Sequence, residues 1–145
     1  MDAQTHRVLL VEDNPDHAEM VMRSFREHQK GDAIHRVADG EEALDYLFRQ
    51  GRYADPLSSP RPELILLDLR LPKVDGLEVL VRLKTAEGLK RIPVIILTTS
   101  ESEVDLVRAY DGYANSYLVK PVDFDKFIRL MGDLGLYWLG WNHLA

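Results

Sequence analysis

The chain has 145 residues, a net charge of −6 and no cysteine. This length fits one domain, and the lack of cysteine excludes disulfides, thiolate metal sites and cysteine nucleophiles. The acidic balance argues against nucleic-acid binding, which needs a basic surface. No apolar run approaches the roughly 18 residues that span a membrane. Residues 1–5 have no signal-peptide pattern, so we expect a cytoplasmic protein.

Short apolar runs alternate with amphipathic segments along the chain. Continuous apolar runs are typical of strands buried on both faces, and they occur at residues 8–11, 64–67, 94–97 and 117–119. A weaker run at residues 33–37 is typical of an edge strand. Apolar residues three or four positions apart predict a helix after each strand. The alternation predicts an α/β fold, a doubly wound five-stranded parallel sheet with helices on both faces.

Capping residues predict where the helices begin and end. Asn14, which is followed by a proline, predicts the start of the first helix. Asp39 with Glu42 resembles a capping box for the second helix, and Gly88 is the predicted stop of the third. The fourth and fifth helices are predicted within residues 100–131.

Two segments do not fit the repeat of strand and helix. Residues 50–62 contain three prolines, which predicts a long irregular connection. Residues 132–145 are apolar and aromatic, and they include Trp138 and Trp141. They either cap the core of the monomer or form a self-association surface, and we favour the second because large exposed apolar patches usually mark interfaces. We therefore predict a domain over residues 1–131, followed by a dimerisation extension over residues 132–145.

Chemically useful side chains follow the predicted strands. Glu12 and Asp13 follow the first strand, Asp68 the third, Thr98 the fourth and Lys120 the fifth. The carboxyl ends of parallel strands line one crevice, so we expect these side chains to meet in one pocket. Carboxylates can hold Mg²⁺, and a bound cation removes the repulsion between a carboxylate nucleophile and a phosphoryl donor. A hydroxyl and an ammonium can then bind phosphoryl oxygens.

Each of these features has an ordinary structural explanation when it occurs alone. An acidic pair often starts a solvated loop, an aspartate often caps a helix, and a Lys-Pro pair often makes a surface turn. Their joint occurrence at successive strand ends favours a functional pocket. The histidines show no metal-ligand spacing, so we expect them at the surface or at strand ends without a role in chemistry: His6, His17, His28, His35 and His143.

The motifs at the strand ends resemble those of the receiver domain of two-component response regulators. The resemblance covers about residues 6–131. Its motifs are VEDN at 11–14, LDLRLP at 67–72, DG at 75–76, TTS at 98–100 and YLVKP at 117–121.

The resemblance implies a flavodoxin-like receiver fold and a signalling phosphoacceptor rather than an enzyme. Asp68 would accept a phosphoryl group from a sensor histidine kinase, assisted by Thr98 and Lys120. Thr98 and Tyr117 would form a switch pair that changes a protein-interaction surface.

The resemblance also implies a site for Mg²⁺ or Mn²⁺. Asp13, Asp68 and the backbone carbonyl of Arg70 would hold the ion, and Glu12 would act through water. Arg70 and Ser100 occupy positions that tune the dephosphorylation rate in receivers.

Two further features narrow the resemblance. Residues 50–62 and the aromatic extension are similar to those of single-domain regulators that partner bacterial and cyanobacterial phytochromes. This implies a phytochrome-type histidine kinase as partner and a homodimer formed through the extension. We expect the output to be a protein contact, since no DNA-binding or enzymatic output domain fits in the remaining residues.

Three other functions fit this sequence less well. An aspartyl phosphohydrolase would need a second aspartate two residues after the nucleophile, where Arg70 stands and cannot donate a proton. A flavodoxin-type nucleotide binder would need a glycine- or hydroxyl-rich phosphate cradle after the first strand, where Glu12 and Asp13 stand instead. A degenerate receiver is disfavoured because every acceptor residue is present.

Overall fold

The computed structural model of the protein describes residues 7–28, 33–98 and 116–120, together with residues 125, 126 and 129, which are helical. The predicted fourth helix, most of the fifth and the extension at 132–145 lie outside the described residues. The described strands and longer helices, in chain order, are β1 (Arg7–Val11), α1 (Pro15–His28), β2 (Ala33–Val37), α2 (Gly40–Phe48), β3 (Leu64–Asp68), α3 (Gly76–Lys84), β4 (Val94–Thr98) and β5 (Ser116–Val119).

The strands form one five-stranded parallel sheet in the order β2-β1-β3-β4-β5. The predicted doubly wound parallel sheet is confirmed, and β2 lies at an edge, as expected from its weak apolar pattern. The chain leaves β1 toward β2 on one side and later adds β3 on the other side. A crevice therefore opens at the carboxyl ends of β1 and β3, which is where ligands bind in open α/β sheets.

Helices cover both faces of the central strands. Leu47 of α2 and Leu80 of α3 pack on one face of the sheet, while Ala18 and Val21 of α1 pack on the other. Every residue of β3 and β4 is buried. This two-sided burial explains why these strands are continuous apolar runs rather than alternating ones. None of the described helices is both long and apolar enough to cross a membrane.

Side-chain caps fix the starts of α1 and α2. Asn14 Oδ1 accepts the backbone N–H groups two and three residues further on, at 2.9 and 3.1 Å. Asp39 Oδ1 accepts the N–H of Glu42 at 2.8 Å. Glu42 Oε1 in return accepts the N–H of Ala38 at 2.9 Å, one residue before the cap. Both predicted caps are confirmed, and the second is a capping box shifted by one residue.

The predicted stop of the third helix at Gly88 was wrong. The helix α3 ends four residues earlier, at Lys84. The Thr85 hydroxyl donates to the carbonyl four residues before it at 2.8 Å, and Lys84 Nζ donates to the carbonyls of Lys90 and Ile92 at 3.0 and 2.5 Å. These side chains satisfy carbonyls in the last turn of the helix and in the following segment, so a glycine is not needed to end the helix.

The prediction of an irregular connection over residues 50–62 was wrong in part. The segment contains two 3₁₀ turns, Gly51–Tyr53 and Pro56–Ser58. The buried Ser59 hydroxyl donates to the carbonyl of Tyr53 at 3.0 Å, and the Tyr53 ring lies 5.0 Å from the ring of Tyr46 on α2. Tyr53 therefore anchors the segment to α2, while most of the segment's other residues are exposed.

The connection between β3 and α3 packs directly on the first residue of α2. The Gly40 N–H donates to the carbonyl of Pro72 at 3.3 Å. A Cβ atom at Gly40 would lie 1.8 Å from the carbonyl oxygen of Val74. This connection begins at Asp68, so the absence of a side chain at Gly40 helps to set the course of the chain beyond the end of β3.

We predict that Gly40→Ala destabilises the protein, because the new methyl group meets backbone that cannot rotate away. The expected loss of unfolding free energy is about 1–3 kcal/mol, as for other overpacked sites. Urea unfolding measures it. Gly88→Ala is the matched control, since a Cβ atom there would meet nothing within 4 Å. Equal stability of the two variants would contradict this account.

Candidate functional site

The pocket at the carboxyl ends of the strands is acidic. One carboxylate oxygen each from Glu12, Asp13 and Asp68 lie within 4.8 Å of one another. Glu12 and Asp13 directly follow β1, and Asp68 is the last residue of the neighbouring strand β3. Glu12 and Asp68 are buried, while Asp13 is exposed. The structure thus brings together the three carboxylates that the sequence analysis placed in one crevice.

Lys120 brings a positive charge to two of these carboxylates. Its Nζ atom lies 2.6 Å from Glu12 Oε1 and donates a hydrogen bond to Asp68 Oδ2 at 3.2 Å. The backbone N–H of Lys120 donates to the carbonyl of Thr98 at 2.8 Å. This bond fixes the chain just past β5, and from there the long side chain reaches the end of β3. One ammonium group is therefore shared between two buried carboxylates.

Hydrogen bonds from the cap of α1 and from β2 hold the acidic pair, Glu12 and Asp13. Glu12 Oε2 accepts the N–H of Asn14 at 3.1 Å. The guanidinium of Arg36, on β2, donates to the carbonyl of Glu12 at 2.9 Å and to that of Asp13 at 3.1 Å. Arg36 was missed by the sequence analysis. The sequence signal that could have found it is a positively charged residue within the predicted edge strand. In the sheet, that strand pairs with β1.

The surroundings of Asp68 disfavour its charged form. Burial and the neighbouring Glu12 carboxylate raise the pKa of Asp68 to about 7, and the Lys120 ammonium opposes that rise. The N–H of Arg70 lies 3.4 Å from Asp68 Oδ1, which is too long for a strong hydrogen bond. The carboxyl group of Asp68 is therefore only partly ionised at neutral pH in the metal-free pocket.

Thr98 and Tyr117 lie on neighbouring strands. Thr98 is the last residue of β4 and is buried. It pairs with Val119, and Tyr117 pairs with Ile96. Side chains alternate along a strand, so Thr98 and Tyr117 lie on the same face of the sheet, diagonally placed. Asp68 pairs with the residue before Thr98, which puts the threonine at the same edge of the sheet as the pocket.

His17 also belongs to the pocket, contrary to the expectation that the histidines have no role there. Its Nδ1 atom lies 3.3 Å from Lys120 Nζ and 4.0 Å from Glu12 Oε2. The signal that could have found it is its position in the first turn of a helix whose cap, Asn14, follows the acidic pair. Of the other histidines, His35 stacks on a tyrosine of α2.

The pocket suits a divalent cation. Glu12 Oε1 is buried and, within the described part of the chain, accepts no hydrogen bond, so its contact with Lys120 is an ion pair without hydrogen-bond geometry. Three carboxylates offer hard oxygen ligands of the kind that Mg²⁺ and Mn²⁺ prefer. In the described part of the pocket, the negative charge exceeds the charge of the one ammonium, which would favour such an ion.

The raised pKa of Asp68 predicts that the metal-free protein loses stability as the pH rises. The folded state holds this proton more tightly than the unfolded chain, whose carboxyl has the ordinary pKa of 3.8. The stabilisation is complete below about pH 4 and is lost as the pH rises through about 7. Asp68→Asn, which cannot ionise, should gain on the order of 3 kcal/mol relative to wild type between about pH 4 and pH 8.

Urea unfolding in EDTA across this pH range measures that difference. Asp75→Asn removes an exposed carboxylate and controls for the change in net charge, so its stability should follow that of the wild type. A pH-independent difference between wild type and Asp68→Asn would show that Asp68 titrates alike in the folded and unfolded states.

Comparisons with known proteins all point to response regulators. The response regulator receiver domain family matches residues 8–131. The probable methanogenesis regulatory protein FilR2 of Methanothrix harundinacea is 48% identical over 93% of this chain and 84% of its own length. The response regulator Rcp1 of Synechocystis sp. is 39% identical over 91% of this chain and 88% of its own.

Solved structures agree with this match. The bacteriophytochrome response regulator AtBRR has a TM-score of 0.83 and 44% identity, over 92% of this chain and 95% of that one. The Mn²⁺-bound form of Rcp1 has a TM-score of 0.75 and 38% identity, over 92% of this chain and 95% of that one. The five-stranded parallel sheet and the acidic pocket at its edge are thus those of a chain that belongs to the response regulator receiver domain family.

Proposed function

We propose that Asp68 is the phosphoryl acceptor of this receiver domain. One observation carries the proposal: the Asp68 carboxyl lies between an acidic cluster and the Lys120 ammonium, at the end of a central strand. Such a carboxylate has a cation beside it to attract a phosphoryl donor. It also has acidic neighbours that can hold a metal ion.

A divalent cation, Mg²⁺ or Mn²⁺, completes the proposed site. Asp13, Asp68 and the backbone carbonyl of Arg70 would hold it, with Glu12 acting through water. The bound ion would offset the repulsion between the Asp68 carboxylate and the donor phosphate. The close group of Glu12, Asp13 and Asp68 oxygens supports this assignment. So does the similarity to Rcp1, which was solved with Mn²⁺ bound.

The side chains of the protein carry out the transfer itself. The proton of the Asp68 carboxyl passes to solvent, and the carboxylate oxygen forms a bond to phosphorus. The bond from phosphorus to the imidazole nitrogen of the donor phosphohistidine breaks, and its electron pair stays on the imidazole. The Lys120 ammonium neutralises one phosphoryl oxygen, and the Thr98 hydroxyl donates a hydrogen bond to another. The chain acts as an acceptor in signalling and not as an enzyme on a separate substrate.

Acetyl phosphate with Mg²⁺ should add one phosphoryl group to the protein, because the acceptor chemistry resides in this chain. Intact-mass spectrometry measures the product. EDTA should suppress the reaction, and Asp68→Asn should abolish it. Asp75 is exposed and lies seven residues after Asp68 in the chain. The control variant Asp75→Asn should therefore be labelled like wild type. If Asp68→Asn is labelled as fully as wild type, the acceptor is another residue.

The proposed switch couples the pocket to the outer strands of the sheet. Phosphorylation would draw Thr98 toward the phosphoryl group, and Tyr117 would move into the space that it leaves, as a shift between two populations. The diagonal placement of the two side chains on one face supports the pairing. Hydrogen exchange with and without beryllofluoride tests the switch: protection confined to the end of β3 would contradict it.

We propose that the phosphoryl donor is a sensor histidine kinase of phytochrome type, in the cytoplasm. The similarity to AtBRR supports this partner, while the similarity to FilR2 makes kinases outside phytochrome systems the competing donors. Phosphotransfer from purified kinases of the host to this chain separates them. If a phytochrome-type kinase transfers its phosphoryl group no faster than the other kinases do, the proposed partner is wrong.

We also propose that residues 132–145 form a homodimer interface beyond the receiver domain at residues 1–131. The support is the concentration of aromatic side chains, including Tyr137 and Trp138, which bury large areas at interfaces with little loss of conformational freedom. A two-fold axis would pair the same surface of each chain.

Sedimentation equilibrium should show a dimer for the full chain and a monomer for a chain that ends at residue 131. Trp138→Ala in the full chain should weaken association without shortening the protein. A full chain that stays monomeric at tens of micromolar, or a shortened chain that dimerises equally well, would assign the extension to the core of the monomer.

A further inference from the structure

Among the residues that the structure describes, three polar groups rather than two surround the Lys120 ammonium. On the inner side it meets the carboxylates of Glu12 and Asp68, at 2.6 and 3.2 Å. At the rim of the pocket it meets His17 Nδ1 at 3.3 Å. The Lys120 side chain is 9% exposed, and the His17 side chain is 42% exposed. Of the three described partners of the ammonium, the histidine is therefore the most exposed.

The direction of this contact follows from the chemistry of its two groups. A lysine ammonium has three N–H donors and no acceptor. In a hydrogen bond between these two atoms the acceptor is therefore His17 Nδ1, in the tautomer that carries its proton on Nε2. This atom supplies a lone pair at the rim of the pocket, 4.0 Å from Glu12 Oε2.

One residue ties this histidine to the acidic pair. Asn14 donates its backbone N–H to Glu12 Oε2 at 3.1 Å. Its side-chain oxygen accepts the backbone N–H of His17 at 3.1 Å. The start of α1, and with it the backbone of His17, is thus fixed relative to the Glu12 carboxylate. A rim position that is set by a cap is more rigid than one on a free loop.

We infer that His17 is a positioning residue for Lys120, which holds the ammonium at the mouth of the pocket where a phosphoryl oxygen would meet it. This inference rests on the function proposed for Asp68 and Lys120. The lysine side chain is flexible, and its ammonium can rotate among donors. The contact with His17 at the rim adds a third point of attachment and so limits the movement of the ammonium.

His17 does not act as a ligand of the proposed metal ion. It is not in the group of residues whose candidate ligand atoms lie within 4.8 Å of one another. Removing the ring should therefore leave Mg²⁺ affinity nearly unchanged. This separates a role in positioning Lys120 from a role in holding the cation.

The test compares His17→Ala and His17→Asn with a matched control. The Asn side-chain oxygen can occupy the place of Nδ1 and accept from Lys120, whereas Ala cannot. Met20→Ala is the control, since Met20 lies on the same helix and is 52% exposed. With acetyl phosphate, His17→Ala should be phosphorylated about fivefold more slowly, the effect of losing one hydrogen bond. His17→Asn should regain much of the rate, and Met20→Ala should match wild type.

A second readout does not depend on phosphorylation. In the metal-free protein, the ¹⁵N signal of the Lys120 ammonium, assigned with Lys120→Arg, should be protected from exchange with water. It should lose that protection in His17→Ala and keep it in His17→Asn. In a Lys120→Ala background, His17→Ala should cause no further loss of rate, because the histidine acts only through the lysine.

The outcomes separate the two claims. A wild-type protein that takes no phosphoryl group refutes the proposed function, and the ammonium signal then decides the inference alone. A phosphorylated wild type whose rate and ammonium signal are unchanged by His17→Ala refutes the inference and leaves the acceptor function standing. An additive effect of His17→Ala in the Lys120→Ala background also refutes it.

Discussion

An ammonium group shared between two buried carboxylates is the interaction on which the pocket depends. Burying a carboxylate without a partner is costly, and Lys120 offers one positive charge to both Glu12 and Asp68. Asp13 adds a third negative charge at the same place. Among the described residues the pocket is therefore short of positive charge. Burial, together with the nearby Glu12 carboxylate, raises the pKa of Asp68 to about 7. A divalent cation would supply what the ammonium cannot.

The rest of the fold holds these groups against their mutual repulsion. The parallel order of β1, β3, β4 and β5 brings their carboxyl ends to one edge of the sheet. Arg36 fixes the carbonyls of the acidic pair from β2, and Asn14 links the Glu12 carboxylate to the start of α1. The connection after Asp68 lies on the first residue of α2, where Gly40 leaves room for it. Each of these contacts is made by backbone or by a side chain that is itself anchored, so the site is set before any ligand arrives.

The sequence allowed the sheet and the acidic cluster to be predicted, because both follow from short-range patterns and from one rule of parallel topology. It did not allow contacts that depend on the angle at which elements meet. His17 reaches the pocket because a cap sets the start of its helix, and Arg36 reaches it because β2 pairs with β1 in one register. Gly88 was misjudged because the side chain of Lys84 reaches carbonyls beyond the helix. Residues 50–62 fold through aromatic and hydroxyl contacts with α2 and with each other, which their prolines did not reveal.

The charge balance of the pocket is the central claim, and the titration of Asp68 itself tests it most directly. The side-chain carboxyl signal of Asp68 in ¹³C-labelled protein, assigned by comparison with Asp68→Asn, can be followed across pH by NMR with and without Mg²⁺. The account predicts a midpoint near 7 in EDTA, and a midpoint lower by about two units or more when Mg²⁺ is bound, because a nearby cation favours the charged form. A midpoint near the ordinary value of 3.8 in EDTA, or one that Mg²⁺ leaves in place, would contradict the account.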